Sequence, residues 1–254
     1  MKAFVAFTKK ELVESLRTYR LVVLAAVFLL LGIISPLTAK MMPEILKSMA
    51  DAGLVLTMPE PAAIDSWAQF FSNVSQMGML ALIITFSGIM ASELSRGTLV
   101  NLLTKGMKRH TVIFSKFLFA SVLWTVSYLL CLVVCYVYTA YYWPMDGLSH
   151  AFIAFFAPWL FGEFLIALLI LGGVIFGNLY GSLLTCGGVI IVLNLLNIMP
   201  SVQKYNPVML AGDTLNLLSK QKEVADYIPA FIICAVAAVL LIVTSVVVFN
   251  KKKV

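Results

Sequence analysis

Continuous apolar runs recur along this sequence, and each is about as long as one or two helical crossings of a lipid bilayer. The longest extends from residue 151 to residue 199 and contains one charged side chain, Glu163. A helix needs about 20 apolar residues to cross the hydrocarbon core, and backbone amides in lipid must be satisfied within a helix or a closed barrel. Barrel strands alternate apolar and polar residues, whereas these runs do not. The sequence therefore predicts transmembrane helices.

Composition agrees with this prediction. Hydrophobic residues make up 61% of the 254 positions and charged residues only 12%, whereas soluble domains are about a quarter charged. We expect an all-α integral membrane protein with residues 1–254 as a single transmembrane domain. The four cysteines lie in apolar runs and are interpreted as small buried side chains, not as metal ligands: Cys131, Cys135, Cys186 and Cys234. No metal or cofactor site is predicted in this chain.

Hydropathy divides the chain into six predicted spans separated by polar segments. The spans are predicted at residues 20–38, 70–91, 112–138, 151–171, 179–199 and 228–249. Residues 39–69 and 200–227 are expected to be external segments, and residues 92–111 a cytoplasmic loop. The glycines near Asn178 mark the turn between the fourth and fifth spans.

Residues 1–19 predict an amphipathic helix at the membrane surface. At 100° per residue one face carries Val5, Leu12, Leu16 and Tyr19, and basic residues lie on another face. One alternative is a simple extension of the first span. A cleaved signal peptide is a further alternative, which Glu11 and Glu14 and the long apolar run disfavour.

The distribution of basic residues predicts the orientation of the spans. Lys and Arg concentrate in segments on the same side as the two termini, and that side is expected to be the cytoplasm. The chain is thus predicted to be a multi-pass protein with both termini inside. The basic residues of that side are Lys2, Lys9, Lys10, Arg17, Arg20, Arg96, Lys105, Lys108, Arg109, Lys116, Lys251, Lys252 and Lys253.

The loop between the second and third spans carries the most specific pattern. Thr98 is a suitable N-cap and Lys105-Gly106 a suitable helix end, which together predict a two-turn helix. Its apolar residues recur at i, i+3 and i+4, the spacing of a helix that docks in a groove. Folding of this apolar face back onto the bundle is the alternative. The candidate coupling residues are Glu93, Arg96, Gly97, Thr98, Leu99, Leu102 and Leu103.

The order of features along the chain resembles that of ABC-2 (type V) exporter permeases. These features are the basic amphipathic start, the single external loop, Glu93-x-x-x-Gly97-Thr98 with a leucine pair, Arg109 and Lys116. Six spans with a polar excursion before the last one fit the same family of ATP-binding-cassette proteins. The proline that often follows the coupling helix in that family is absent, and Gly106-Met107-Lys108 stands there. Size and layout resemble the small permeases of phenol-soluble modulin exporters and lantibiotic-immunity systems.

The resemblance implies a permease subunit in a bacterial cell membrane that exports an amphipathic or hydrophobic substrate, such as a peptide or toxin. It implies a role in antimicrobial-peptide resistance, two copies of a separate ATPase subunit that carry ATP and Mg²⁺, and a second permease copy, identical or related. Membrane lipid is an expected partner and nucleic acid is not. The sequence has no G-x-x-x-x-G-K-[ST] phosphate loop, and it is predicted not to be an enzyme. An ion-coupled transporter or channel and a non-transporting scaffold are the alternatives.

Glu163 lies near the middle of the predicted fourth span. A carboxylate at this depth costs about 2.5–3.5 kcal/mol on insertion scales, so its side chain should face protein or water. In one interpretation it is protonated and hydrogen-bonds a neighbouring helix, with Asn178, Asn194 and Asn197 as candidate partners. In the other it lines the translocation path or the interface between permeases and meets cationic cargo.

Overall fold

The computed structural model describes residues 2–50, 60–95, 97, 99, 104, 106–145 and 148–252, without the side chains of residues 2, 3, 5, 6 and 46–50. Every regular element in these residues is a helix, which confirms the predicted all-α class. Six stretches are long and apolar enough to cross a membrane, as predicted. These stretches, called the first to sixth spans, are Arg20–Ile45, Ala63–Ser95, Arg109–Tyr142, Ala151–Phe176, Leu179–Leu196 and Val224–Lys251.

Helix α1 (Lys2–Arg17) precedes the first span, which belongs to α2 (Arg20–Ala50). The second span is divided into α3 (Ala63–Asn73), a π-helical turn at Val74–Gly78, α4 (Met79–Phe86) and α5 (Ala91–Ser95). The third, fourth and fifth spans are single helices: α6 (Arg109–Tyr142), α7 (Ala151–Phe176) and α8 (Leu179–Leu196). Three short helices follow, namely α9 (Pro200–Gln203), α10 (Met209–Gly212) and α11 (Leu215–Leu218), and then a 3₁₀ turn at Val224–Asp226 and α12 (Ile228–Lys251).

Several helices are longer than hydropathy indicated. Helix α2 continues from residue 38 to Ala50, and the second span begins at Ala63, not at residue 70. The third span runs from Arg109 to Tyr142 around the predicted residues 112–138. The fourth ends at Phe176 and not at 171. The fifth is an exception, because it ends at Leu196, before the predicted residue 199. Hydropathy detects only the part of a helix that is apolar enough for lipid, so helical ends outside that part escape it.

The fourth span is the central helix of the bundle. In its most apolar window 78% of the residues are buried, against 17% in the fifth span. The sharp turn between these two helices is held by Asn178, whose side chain accepts a hydrogen bond of 2.7 Å from the backbone N–H of Gly181. Asn178 is therefore an N-cap of α8, and the turn falls within the glycine-rich stretch that predicted it.

The segment between the fifth and sixth spans folds onto the bundle through polar contacts. The Lys222 ammonium lies 2.5 Å from the Asp213 carboxylate. The Tyr227 hydroxyl donates to the backbone carbonyl of Asp213 at 2.8 Å. The hydroxyl of Ser75, in the π-helical turn of the second span, donates to the carbonyl of Ala211. The Ser75 contact joins the segment to the second span. The other two stabilise the segment itself and its junction with the sixth span.

Both chain termini lie at one end of the bundle, which we call the terminal end. Here Arg109, the first residue of the third span, donates hydrogen bonds to the carbonyls of Phe249 and Lys252. The Lys252 ammonium in turn donates to the carbonyl of Val174 at 2.8 Å, at the close of the fourth span. Basic side chains thus satisfy carbonyls at helix C-termini, where cations are favoured.

Candidate functional site

Charged side chains meet at the terminal end, where α1 packs beside the second and third spans. The Lys116 ammonium lies 3.0 Å from a Glu11 oxygen and 3.0 Å from a Glu93 oxygen. Lys10 forms an ion pair with Glu93 and lies 3.5 Å from Glu11 and 3.3 Å from Glu14. We call Lys10, Glu11, Glu14, Glu93 and Lys116 the terminal charge cluster. The side chains of Lys116, Glu11 and Glu93 are 1%, 5% and 6% exposed, so the centre of the cluster is buried.

Helix α1 enters this cluster through the face that carries Phe7, Glu11 and Ser15, which are all buried. They recur every fourth residue and therefore lie along one side of the helix. The Thr8 hydroxyl adds a hydrogen bond of 2.7 Å to the hydroxyl of Ser115 on the third span. The Phe7 ring lies under the ammonium of Lys116, whose nitrogen is 5.6 Å from the ring centroid.

The cluster is largely neutralised from within. One carboxylate oxygen from each of Glu11, Glu14 and Glu93 lies within 4.8 Å of the others, and the ammonium groups of Lys10 and Lys116 lie among them. Burial raises the pKa of Glu11, as does the Glu93 carboxylate, against the opposing effect of Lys116. Burial lowers the pKa of Lys10, but the three carboxylates outweigh it and the net pKa is raised. Lys10 therefore stays cationic and belongs to the ion-pair network.

The structure places three of the predicted coupling residues. Glu93 turns toward Lys10 and Lys116 of its own chain. Gly97 lies in a turn with a φ of 65°, which glycine adopts without strain. Leu99 is helical and fully buried in the chain's own core, so at this position the apolar side folds back onto the bundle. The other predicted coupling residues lie outside the described residues: Arg96, Thr98, Leu102 and Leu103. Contact with an ATPase stays a prediction for all seven.

Glu163 lies halfway along the fourth span. It belongs to a series of hydrogen bonds between the third and fourth spans, which we call the polar ladder, and it lies at the end of the series nearest the terminal end. The Ser121 hydroxyl donates to Glu163 Oε2 at 2.5 Å. Trp124 Nε1 donates to the Trp159 carbonyl at 3.0 Å, and Trp159 Nε1 donates to the Thr125 hydroxyl at 2.9 Å. At the end of the series farthest from the terminal end, the Tyr128 hydroxyl donates to the carbonyl of Phe155 at 2.7 Å. The third span, not Asn178, Asn194 or Asn197, thus provides the hydrogen-bond partner of Glu163.

Close backbone approach makes this ladder possible. A Cβ atom built on Gly162 would lie 2.4 Å from the Trp124 ring, so only glycine leaves room for the indole. Pro158 lies one turn away inside the helix, where its ring removes a backbone N–H donor. Side-chain donors from the third span add hydrogen bonds to the nearby carbonyls of Phe155 and Trp159.

An open groove of about 490 Å³ lies beside Glu163, between the third, fourth and sixth spans. We call it the Glu163 groove. Its polar lining comes from Ser121, Thr125 and Glu163, and the rest is apolar, with Trp159, Ala235 and Val239 among the walls. Glu163 is 6% exposed. Its Oε1 atom has no hydrogen-bond partner within the described ranges.

Sequence reasoning missed the contacts that several polar residues of the candidate site make. Lys116 contributed to the prediction as a basic residue of the cytoplasmic side and as part of the family pattern, and its pairing with Glu11 and Glu93 was not predicted, although it lies within the third span and is buried. Ser121 gave no signal, since a single serine in an apolar run is common. A usable signal was the coincidence of Lys116 with two acids in an otherwise basic N-terminal helix, because a lysine in a span requires a counter-charge.

Comparison with curated proteins finds a distant relative. The chain is 24% identical over 191 residues to the uncharacterized transmembrane protein YxlG of Bacillus subtilis (strain 168), over 74% of this chain and 73% of that protein. Together with six long apolar helices, this similarity decides the class. The chain is a multi-pass membrane protein. No protein-family model matches it.

Proposed function

We propose that this membrane protein is the permease subunit of an ATP-binding-cassette exporter. It would move an amphipathic or hydrophobic substrate, such as a peptide or toxin, out of a bacterial cell, driven by a separate ATPase. The chain itself would perform no catalysis, since the sequence lacks a phosphate loop. The proposal extends to the cell membrane as its location, to cytoplasmic termini and to a pair of permease copies with two ATPase subunits.

The terminal charge cluster is the observation that supports this proposal most. Glu93 lies close to the segment 96–105 at the end of the second span, and Lys116 lies at the start of the third span. Lys116 forms ion pairs with Glu93 of the second span and with Glu11 of α1. The two spans that flank the segment are therefore held together and against α1. A segment that transmits the conformational change of an ATPase has to be rigidly attached to the spans, since a flexible loop would not pass the displacement on to them. Buried Leu99 adds an apolar anchor.

Substitution of the leucine pair tests the motor contact. We expect Leu102→Asp and Leu103→Asp to insert normally but to lose the ATPase, because a carboxylate buried in an apolar groove costs about 3–5 kcal/mol. The measurement is affinity purification of the tagged chain from its native membrane, with mass-spectrometric quantification of an ATPase that contains a phosphate loop. Ser95→Asp, at an exposed neighbouring position, adds the same charge and should retain the ATPase.

Absence of such an ATPase from the wild-type preparation would refute the exporter function. Its full retention by both Leu→Asp variants would place the motor contact elsewhere on the chain.

A second function is an ion-coupled transporter, which the buried carboxylate of Glu163 favours. It differs in its energy source. Export by reconstituted vesicles that responds to an ion gradient without ATP would support this alternative, whereas dependence on ATP and a second polypeptide would support the exporter.

A further inference from the structure

A carboxylate that is buried, half-satisfied and placed against an open apolar groove is an incomplete site. Ser121 donates to one oxygen of Glu163, while the other oxygen has no partner among the described residues. In that same part of the chain no lysine or arginine forms an ion pair with Glu163. A carboxylate within a span normally faces a cation, a hydrogen-bond donor or water. For an ionised Glu163, the group that completes the site supplies donors, positive charge, or both.

The walls of the Glu163 groove indicate what carries that group. Apart from Ser121 and Thr125, whose hydroxyls already donate to Glu163 and to the carbonyl of Ser121, the lining is apolar. Val122 and Val239, at the rim, are 54% and 63% exposed on the outer surface of the bundle. The groove therefore opens laterally, toward the surface that lipid covers in a single copy. A ligand can enter from the bilayer with its chain in contact with the apolar walls.

We propose that the Glu163 groove binds a lipophilic cation that carries a primary ammonium group on a long alkyl chain. The ammonium donates to the free Oε1 of Glu163, and the chain lies against Val122 and Val239. A volume of about 490 Å³ falls in the range of small-ligand pockets, about 300–1,000 Å³. The Trp159 ring in the wall offers a further contact for the cation. As a statement about exported cargo, this inference rests on the proposed function, whereas the binding itself does not.

Photolabelling of the purified full-length chain in phosphatidylcholine vesicles tests this site. The probe is dodecylammonium with a diazirine midway along its chain, and its N-acetylated form is the uncharged comparison. In the wild type the cationic probe should label peptides of the third and sixth spans around Val122 and Val239. Glu163→Gln keeps the acceptor for Ser121 but removes the charge, and should reduce this labelling about tenfold. The acetylated probe should label both proteins equally.

Matched variants separate binding from folding. Glu60→Gln, at an exposed acid, should label as the wild type does. Ala235→Leu fills the groove and should reduce labelling by both probes, whereas Ala26→Leu, on an exposed face of the first span, should not. Size-exclusion profiles and thermal unfolding in detergent check that each variant is folded.

Equal labelling of the wild type and Glu163→Gln by the cationic probe would overturn the proposal. Labelling that is absent from the groove, for example because a second copy covers it, would overturn it as well. The assay uses no ATPase, so it is independent of the exporter function. Labelling of the groove without a co-purifying ATPase would retain the site and refute the exporter, and the reverse result would retain the exporter and refute the site.

Discussion

Lys116 is the residue on which the terminal charge cluster depends. Its side chain is 1% exposed, and its ammonium lies between the carboxylates of Glu11 and Glu93. A buried ion pair contributes little beyond an apolar pair of the same shape, but removal of one partner leaves a buried charge and is strongly destabilising. Loss of Lys116 would therefore destabilise the cluster, because the buried carboxylates of Glu11 and Glu93 would lose this counter-charge.

We expect Lys116→Met to destabilise the docking of α1 by about 3–5 kcal/mol. Hydrogen exchange of the α1 amides in detergent measures this, and residues 4–17 should exchange faster while the fourth span keeps its protection. Lys9→Met, at an exposed lysine of the same helix, is the control and should leave exchange unchanged.

Addition of Glu11→Gln to Lys116→Met should restore part of the protection, because it removes one of the two buried carboxylates that lose the Lys116 ammonium. Strictly additive effects of these two substitutions would contradict a direct pairing.

At the scale of elements, α1 is oriented opposite to a helix on a soluble protein. Its polar residues Glu11 and Ser15 are buried against the bundle, while Leu12 and Leu16 are 44% and 49% exposed. In water this would be unfavourable, but at a membrane surface the apolar side can enter the lipid. The amphipathic pattern predicted the helix and its surface location, and the structure shows that charges on the other side attach it.

The polar ladder between the third and fourth spans depends on Gly162. A methyl group at this position would lie 2.4 Å from the Trp124 ring, so the indole or the backbone has to move. We expect Gly162→Ala to destabilise the protein by about 1–3 kcal/mol, as overpacking in a core does. Thermal unfolding in detergent, followed by the near-ultraviolet signal of the tryptophans, measures the loss.

Gly188→Ala is the matched control, since a Cβ atom at Gly188 meets no atom within 4 Å. It should unfold at the wild-type temperature. Equal stability of both variants would show that the third and fourth spans do not require this close approach.

At the scale of the whole molecule, the termini share one end of the bundle, and the excursion between the fifth and sixth spans occupies the other. Basic residues concentrate at the terminal end, which predicts that this end faces the cytoplasm. We expect a cysteine at Gln221 to react with an impermeant maleimide in intact cells, and a cysteine at Ser95 to react only after permeabilisation. Both positions are exposed in the structure. The opposite pattern would reverse the orientation and contradict the exporter function.

The sequence by itself determined the class, the number of spans and their order, because about 20 apolar residues in succession have few alternatives to a membrane helix. It also singled out Glu163, since the energy of an isolated charge in lipid is a local property. It did not find the partners of that charge or of Glu93.

Those partners come from distant parts of the chain: Glu11 and Lys116 are 105 positions apart, Lys10 and Glu93 83, and Ser121 and Glu163 42. Only the packing of one helix against another brings such residues together, and hydropathy contains no term for it. Helix ends such as the extension of α2 from residue 39 to Ala50 were missed because they are less apolar than the spans that hydropathy detects. The tertiary structure therefore decided which buried charges are neutralised within the chain and which one, Glu163, faces an open groove.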